Sequence, residues 1–211
     1  MFTCTWIFGI VVFGTVALPR RVLAQPSAYP PNITTCEQFE RSARFNPYAL
    51  IDSMWKIFYF WSNNTELTPI VFALAAKNRV KKFKSIFEAT NPGMDVEWEK
   101  ATLFMNPRAG VEVLFLYAST PGAFRAIVLK EQRNKARPNP EPLVNFADVR
   151  MKLVERYLGM MCCEDLTAFA LAKLAEMPKT EERCQEAAAA IGYQGYEGRS
   201  YLSLMKENDE L

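Results

Sequence analysis

The sequence predicts a mainly β domain, a barrel or a sandwich, preceded by an export signal and followed by a helix. Three observations support this prediction. An apolar run near the N-terminus has the length of a signal-peptide core, eight later segments have the character of strands separated by turn residues, and a stretch near the C-terminus has helical character. The folded part is therefore expected between the signal and a short tail.

Residues 1–24 are expected to be removed as a signal peptide. The apolar run Trp6–Leu18 is too short to cross a bilayer comfortably, and Pro19 interrupts it. Small residues at Val22–Ala24 suit the cleavage positions. Arg20 and Arg21 follow the run as they would in a signal anchor, which is the alternative. No later segment has the roughly 20 apolar residues of a span, so we expect no stable membrane insertion.

The charge and the absence of histidine exclude several classes of function. Removal of the signal takes Arg20 and Arg21 and no acid, so the formal charge falls from +2 to 0. A nucleic-acid-binding protein usually has a strong basic excess, so no nucleic-acid partner is expected. The chain has no histidine, which excludes histidine-based catalytic triads and metal ligands. We expect no metal, no cofactor and no enzymatic activity.

The mature chain is expected to begin with a flexible lead, residues 25–35, which contains several prolines. Two glycosylation sequons follow from the sequence, at Asn32 and Asn63. These asparagines can be glycosylated only in a chain that enters the secretory pathway. The expected location is therefore extracellular, with the ER lumen as the alternative.

Alternating apolar residues predict the first strand, where Trp55, Ile57, Tyr59 and Trp61 share one face. Turn residues such as those of Asn106–Gly110 separate the later segments. The further predicted strands are Ile70–Ala76, Val80–Phe87, Val96–Met105, Val111–Ala118, Ala123–Glu131, Tyr157–Cys163 and Leu166–Lys173. The segment Leu143–Glu155, between the predicted strands Ala123–Glu131 and Tyr157–Cys163, fits either a short helix or an extended strand.

The pattern becomes helical after the last strand. The acids Glu181 and Glu182, which follow Thr180, suit the positive end of a helix, and Gly192 suits its C-terminal cap. We therefore predict a helix that ends at Ile191.

Four cysteines remain after removal of the signal: Cys36, Cys162, Cys163 and Cys184. An even number in an exported chain favours two disulfides, and a cysteine metal site is the alternative. Because neighbouring residues of a strand point to opposite faces, Cys162 and Cys163 are better placed to bond to distant partners than to each other.

The segment Phe45–Trp61 resembles the first signature block of the lipocalin family, with Ser53-Met54-Trp55 where that family has Gly-x-Trp. The later stretch Phe169–Lys173 and Ile191-Gly192-Tyr193 also resembles the end of a lipocalin. The resemblance, to the insect-type bilin-binding and apolipoprotein D-like branch, implies an eight-stranded antiparallel up-and-down β-barrel over residues 36–193. It also implies a C-terminal α-helix packed on the barrel wall and a polar tail, 194–211.

The same resemblance implies roles for individual residues. Trp55 closes one end of the barrel, and Lys173 takes the place of the arginine that packs on this tryptophan in the family. Cys36 pairs with one of the two adjacent cysteines and Cys184 with the other.

An eight-stranded barrel has room for one small ligand, and the resemblance implies carriage or sequestration of a fatty acid, retinoid, sterol or tetrapyrrole pigment. Alternatives are a lipid-modifying enzyme, which would need a reactive thiol, and an interaction module with a filled barrel. Counting alternate residues gives the expected cavity lining: Ile57, Tyr59, Ala73, Phe104, Val113, Phe115, Tyr117, Val128 and Phe169.

The last four residues, Asn208–Leu211, resemble the ER-retrieval tetrapeptide with asparagine in its first position. They predict a possible partner, an ER-retrieval receptor; an ordinary charged tail is the alternative.

Overall fold

The computed structural model describes residues 33–41, 43–62, 67–131 and 142–209. The predicted signal peptide lies outside these ranges, as do residues 25–32 of the predicted lead and both sequon asparagines, Asn32 and Asn63. Residues 210 and 211 of the predicted retrieval signal also lie outside them. The expectations for these segments stay predictions.

Eight strands form a closed antiparallel barrel. Neighbours around the barrel are neighbours in the chain, and β1 pairs with both β8 and β2. The predicted mainly β, eight-stranded, up-and-down barrel is confirmed. The strands are β1 (Met54–Trp61), β2 (Ile70–Leu74), β3 (Ala101–Arg108), β4 (Val111–Tyr117), β5 (Ala123–Lys130), β6 (Leu143–Val154), β7 (Tyr157–Cys162) and β8 (Thr167–Lys173).

The closing contact between β1 and β2 is short. It joins Met54 to Val71 and Trp55 to Ile70. Farther along β1, a two-residue strand, β9 (Arg199–Ser200), pairs with Tyr59 and Phe60 instead. The seam of the barrel is therefore completed by two different segments of the chain.

The predicted third strand, Val80–Phe87, is wrong. Residues Lys77–Thr90 form a helix, α2, which follows the short helix α1 (Cys36–Glu40) in the chain. The apolar residues Val80, Phe83 and Phe87 recur every three or four positions, which is the period of a helix. Both phenylalanines are fully buried against the outer wall of the barrel.

The barrel still has eight strands, because the segment that fitted either a helix or a strand forms β6, which replaces the strand predicted at Val80–Phe87. Its residues at positions 145, 147, 149 and 151 are buried and alternate with less buried ones, as expected for a strand with one face inward. The fourth predicted strand begins later than expected, at Ala101, because Trp98–Lys100 is a 3₁₀ helix. The turn before β5 forms around Gly122, whose φ of +86° suits glycine.

Three buried clusters account for the packing. The interior cluster lies inside the barrel and contains residues from all eight strands. The α2 cluster joins Phe83 and Phe87 to the outward side chains of β3, β4 and β5. The α3 cluster lies between the outer wall of β1, β7 and β8 and the helices α1 and α3 (Glu181–Ile191). Each large apolar side chain buried in this way contributes about 1.5–3 kcal/mol to folding.

The predicted C-terminal helix on the barrel wall is confirmed as α3. The side chain of Thr180 accepts a hydrogen bond from the backbone N–H of Arg183, and Gly192 ends the helix with a φ of +70°. The predicted tail, 194–211, contains β9 and a further helix, α4 (Tyr201–Asp209), whose Leu204 packs against the interior cluster. Within the described ranges, no helix has the length and apolar character needed to cross a membrane.

Candidate functional site

Trp55 lies at one end of the barrel, where β1 begins. Its side chain is 1% exposed, and its indole N–H donates a hydrogen bond of 2.9 Å to the carbonyl oxygen of Leu50. Lys173 is its cross-strand neighbour on β8, and the Lys173 ammonium lies 5.8 Å from the centroid of the indole ring. The two residues named for barrel closure are therefore in contact.

The segment before β1 covers the same end. Leu50 belongs to the interior cluster, and the Phe45 ring lies 5.3 Å from that of Phe124, edge to face. The backbone of Leu153, at the end of β6, donates a hydrogen bond of 3.0 Å to the carbonyl of Arg44. This end, called the Trp55 end below, is thus blocked by the side chains of Leu50, Trp55 and Phe45, and a backbone hydrogen bond ties its cover to the barrel.

Small side chains inside the barrel are grouped on one wall. Near the Trp55 end, the rings of Phe72 and Phe115 lie 6.5 Å apart, and those of Phe115 and Phe124 5.9 Å apart. Toward the opposite end, called the far end below, β1 and β8 carry the inward rings of Phe60 and Phe169, which are paired across the two strands. On β4, β5 and β6 the inward side chains are small, and these residues are called the small-residue wall below: Val111, Val113, Ala126, Val128 and Ala147.

Five of the nine predicted cavity residues belong to the interior cluster: Ile57, Val113, Phe115, Val128 and Phe169. Tyr117 occupies the rim of the Trp55 end. It is directly opposite Phe124 on β5, with ring centroids 6.4 Å apart, and it is 39% exposed.

The other three predicted cavity residues, Tyr59, Ala73 and Phe104, lie on the outside of the barrel. A register irregularity after Ile57 turns Phe60 inward and places Tyr59 in the α3 cluster. Phe104 packs on Phe83 of α2, with ring centroids 6.3 Å apart.

On β2 and β3 the predicted register was off by one residue. Phe72 and Met105 face the interior, and their neighbours Ala73 and Phe104 face outward. Ala73 is exposed and lines a surface groove of about 560 Å³ beside the β1–β2 seam, together with Met54 and Val71. The three outward residues cannot line an interior cavity.

The inward residues of β6 were not among the predicted cavity residues. They include Asn145, Ala147 and Val149. The signal was present in the sequence, because small or apolar residues at alternate positions of Leu143–Val154 follow the period of a strand. The prediction left this segment open between a helix and a strand and so assigned no inward face.

Polar side chains occur at the far end. Arg108 on β3 is opposite Val111 on β4, which is opposite Lys130 on β5. Directly opposed residues project from the same face of a sheet, and Val111 belongs to the interior cluster, so both cations are on the inward face of the rim. Burial lowers the pKa of Lys130, and the nearby positive charge of Arg108 lowers it further.

The disulfide Cys36–Cys163 ties α1 to the end of β7, with 5.7 Å between the Cα atoms. Cys162, next to it, points the opposite way, into the interior cluster, as predicted for adjacent strand residues. Cys162 is disulfide-bonded as well, and its partner is not among the described residues.

The predicted disulfide of Cys184 does not form. Cys184 is a free thiol, buried in the α3 cluster on the outside of the barrel. Because Cys163 is bonded to Cys36, the remaining candidate partner of Cys184 was Cys162. The barrel wall separates the side chains of Cys162 and Cys184. A disulfide cannot bridge side chains on opposite faces of a sheet without displacing the backbone.

We expect Cys184 to resist alkylation in the native protein. Burial raises the pKa of its thiol to about 11, and the Glu181 carboxylate raises it too, so at pH 8 almost no thiolate is present. Treatment with N-ethylmaleimide at pH 8, followed by peptide mass analysis, should show Cys184 unmodified in native protein and modified in denaturant. Rapid native labelling would contradict this placement and would favour the enzyme interpretation, which needs a reactive thiol.

Comparisons of the chain with protein-family models, with curated proteins and with solved structures give no match.

Proposed function

We propose that the chain is a lipocalin-like carrier of the secretory pathway that holds one small hydrophobic molecule inside its barrel. The class of ligand is a fatty acid, retinoid, sterol or tetrapyrrole pigment. The observation that supports this proposal is the small-residue wall of the interior. Trp55 blocks one end of the barrel, and five small aliphatic side chains line β4, β5 and β6 toward the other end, where β1 and β8 carry the rings of Phe60 and Phe169.

The physical basis of binding is burial of apolar surface. Each Å² of apolar ligand surface removed from water contributes about 25 cal/mol, before the cost of association is subtracted. Valine and alanine walls contribute this term without polar groups that would have to be desolvated. The blocked Trp55 end makes the far end the side from which a ligand would enter.

The proposed location is extracellular, because the Cys36–Cys163 disulfide is compatible with an oxidising compartment. The ER lumen is the alternative location, through recognition of Asn208–Leu211 by a retrieval receptor. Sensitivity of the N-glycans to endoglycosidase H would separate the two, since a chain retained in the ER keeps high-mannose glycans.

The test of carriage is a fluorescence titration with N-phenyl-1-naphthylamine, a neutral apolar probe. Wild-type protein should give saturable binding of one probe molecule. The variant Ala147→Phe places a ring on the small-residue wall of the interior and should weaken probe binding at least tenfold. The control Ala73→Phe adds the same ring to an exposed position outside the barrel and should bind as wild type.

Two outcomes would contradict the proposal. Absence of saturable binding for this probe and for a panel of fatty acids, retinol and biliverdin would reject carriage. Equal probe affinity of Ala147→Phe and wild type would mean that the probe does not bind against the small-residue wall.

A second candidate function is an interaction module whose barrel is filled. The observation that favours it is that every residue of the interior cluster is 4% exposed or less. In a filled barrel, Ala147→Phe would overpack the core and lower the free energy of unfolding by about 1–3 kcal/mol. No ligand binding together with that loss of stability would select this function over carriage.

A further inference from the structure

The barrel interior is closed to solvent, so a carrier needs a part of its wall that moves. Every residue of the interior cluster is 4% exposed or less. Trp55 and the segment before β1 block one end of the barrel. A molecule can therefore reach the small-residue wall only after a covering segment is displaced, as the lids and loops of enzymes are.

The seam between β1 and β2 is incomplete. Among the described residues, β1 pairs with β2 only at Met54 and Trp55, whereas its other edge pairs with β8 from Trp55 to Trp61. The lead into β2 follows β3 instead, because the hydroxyl of Thr68 donates a hydrogen bond of 3.0 Å to the carbonyl oxygen of Pro107. In the part of the chain that the structure describes, β1 and β2 are thus joined only in the half of the seam near the Trp55 end.

A C-terminal segment, residues 199–209, covers the other half of the seam and is called the seam cover below. Its strand β9 pairs with Tyr59 and Phe60 on the edge of β1 that β2 has left, since β8 occupies the opposite edge. Its helix α4 follows directly and packs Leu204 against the interior cluster, as Leu67 in the lead into β2 also does. Side chains and a two-residue strand close the wall here, without a continuous ladder between two barrel strands.

Polar contacts with α3 and with the residues before it hold the seam cover from outside the barrel. The hydroxyls of Ser200 and Ser203 both donate hydrogen bonds to one carboxylate oxygen of Glu181, which lies in the first turn of α3. The hydroxyl of Tyr201 donates a hydrogen bond of 2.9 Å to the carbonyl oxygen of Pro178. Because these bonds are not part of the strand ladder, they can break while the eight strands stay paired.

The link before the seam cover is suited to act as a hinge. Gln194 is fixed, because it exchanges two hydrogen bonds of 2.8 Å with Thr34. The next four residues, 195–198, form no helix or strand and include Gly195 and Gly198. Hinges are commonly a few such residues that absorb changes of the backbone angles. The seam cover can therefore turn away from β1 while α3 stays in place.

We propose that the seam cover is a lateral gate, which moves away from β1 to admit the ligand between β1 and the lead into β2, and that the Glu181 carboxylate holds it closed. The opening lies in the half of the seam toward the far end. This inference rests on the proposed carrier function and adds the route by which the ligand enters and leaves. Such a gate changes the rates of binding and release by the same factor and leaves the affinity unchanged, because it favours neither the empty nor the loaded barrel.

The first test locks the seam cover to β1 with a disulfide. Directly opposed residues of antiparallel strands have Cα atoms about 4.5–5.5 Å apart, a separation that a disulfide can span. Tyr59 and Ser200 are such a pair. The lock variant, Tyr59→Cys/Ser200→Cys, is made in a Cys184→Ala background, so that the buried free thiol cannot compete for the new cysteines.

Uptake of N-phenyl-1-naphthylamine by the lock variant is followed by stopped-flow fluorescence. The oxidised lock variant should take up the probe at least tenfold more slowly than the same protein after reduction with dithiothreitol. The Cys184→Ala parent should take up the probe at the same rate with and without dithiothreitol, which controls for reduction of the native disulfide.

The second test removes the carboxylate that holds the gate closed. In Glu181→Ala, the hydroxyls of Ser200 and Ser203 lose their shared acceptor. The association and dissociation rates of the probe should both rise at least threefold, with the affinity within twofold of wild type. Glu186→Ala removes an exposed carboxylate from the same helix and should change neither rate.

Equal rates of uptake by the oxidised and the reduced lock variant would overturn the inference. If the lock variant does not fold or its disulfide does not form, wild-type rates in Glu181→Ala would overturn it. A lower affinity of Glu181→Ala with an unchanged association rate would do so too, because the carboxylate would then support the site and not a gate. In each of these results wild-type protein binds the probe, so they are distinct from failure of the carrier function, in which the probe does not bind.

Discussion

Replacing Trp55 by alanine is expected to lower the free energy of unfolding by about 3–5 kcal/mol, the range for removal of a buried aromatic side chain. The indole is 1% exposed, and its N–H bonds to the carbonyl oxygen of Leu50. Its loss would leave a cavity at the Trp55 end and a carbonyl without its donor. Equilibrium unfolding in guanidinium chloride, followed by circular dichroism, measures the change.

Two controls separate the role of Trp55 from the general cost of removing a tryptophan. Trp55→Phe keeps a ring and loses the hydrogen bond, so its cost should be intermediate. Trp98→Ala removes a partly exposed tryptophan on the outside of the barrel, where it packs on Phe87, and should cost less than Trp55→Ala. A Trp55→Ala protein within 1 kcal/mol of wild type would mean that this residue does not close the barrel end.

Loss of the Cys36–Cys163 disulfide is expected to have the second largest effect. The double variant Cys36→Ser/Cys163→Ser should lose about 2–4 kcal/mol of stability. The bond joins residues 127 positions apart, so in the chain-entropy model it restricts the unfolded state strongly. It also holds α1, with the buried Phe39, on the barrel wall.

Thermal unfolding of the double variant beside Cys184→Ala measures this effect. The control removes a buried thiol that forms no disulfide, so it should cost less than the double variant. If the double variant unfolds at the same temperature as wild type, the disulfide does not contribute to the stability of the barrel.

The strand pattern was predictable wherever apolar residues alternate without interruption. The register of β4 and β5 followed from alternation, so Val113, Phe115 and Val128 were placed correctly in the interior. The helix α3 was predictable from its caps at Thr180 and Gly192. These features depend on local sequence, which is what periodicity and capping rules describe.

The errors concern features that depend on packing between distant segments. Phe83 and Phe87 have the spacing of a helix, but the apolar wall that they cover is formed by distant strands, and the predicted strand here is α2. Phe104 turned outward because α2 packs over it. The irregularity that separates Tyr59 from the interior follows from the pairing of β1 with β8, which local sequence does not determine.

The site was predictable in part. Trp55 and Lys173 were assigned to barrel closure by resemblance to lipocalins, and they are in contact in the structure. Asn145 was not predicted, because a single polar residue in an ambiguous segment carries no signal until the strand and its inward face are known. Its burial inside the barrel follows from the register of β6 with β5, which is a property of the folded chain.

Native mass spectrometry of the protein purified from its own source tests the central claim, that the barrel interior holds a guest. We expect the native mass to exceed the mass of the same protein under denaturing conditions by one small molecule, which organic solvent releases. A native mass equal to the mass under denaturing conditions, together with no uptake of ligand from the panel, would contradict the claim and favour a filled barrel.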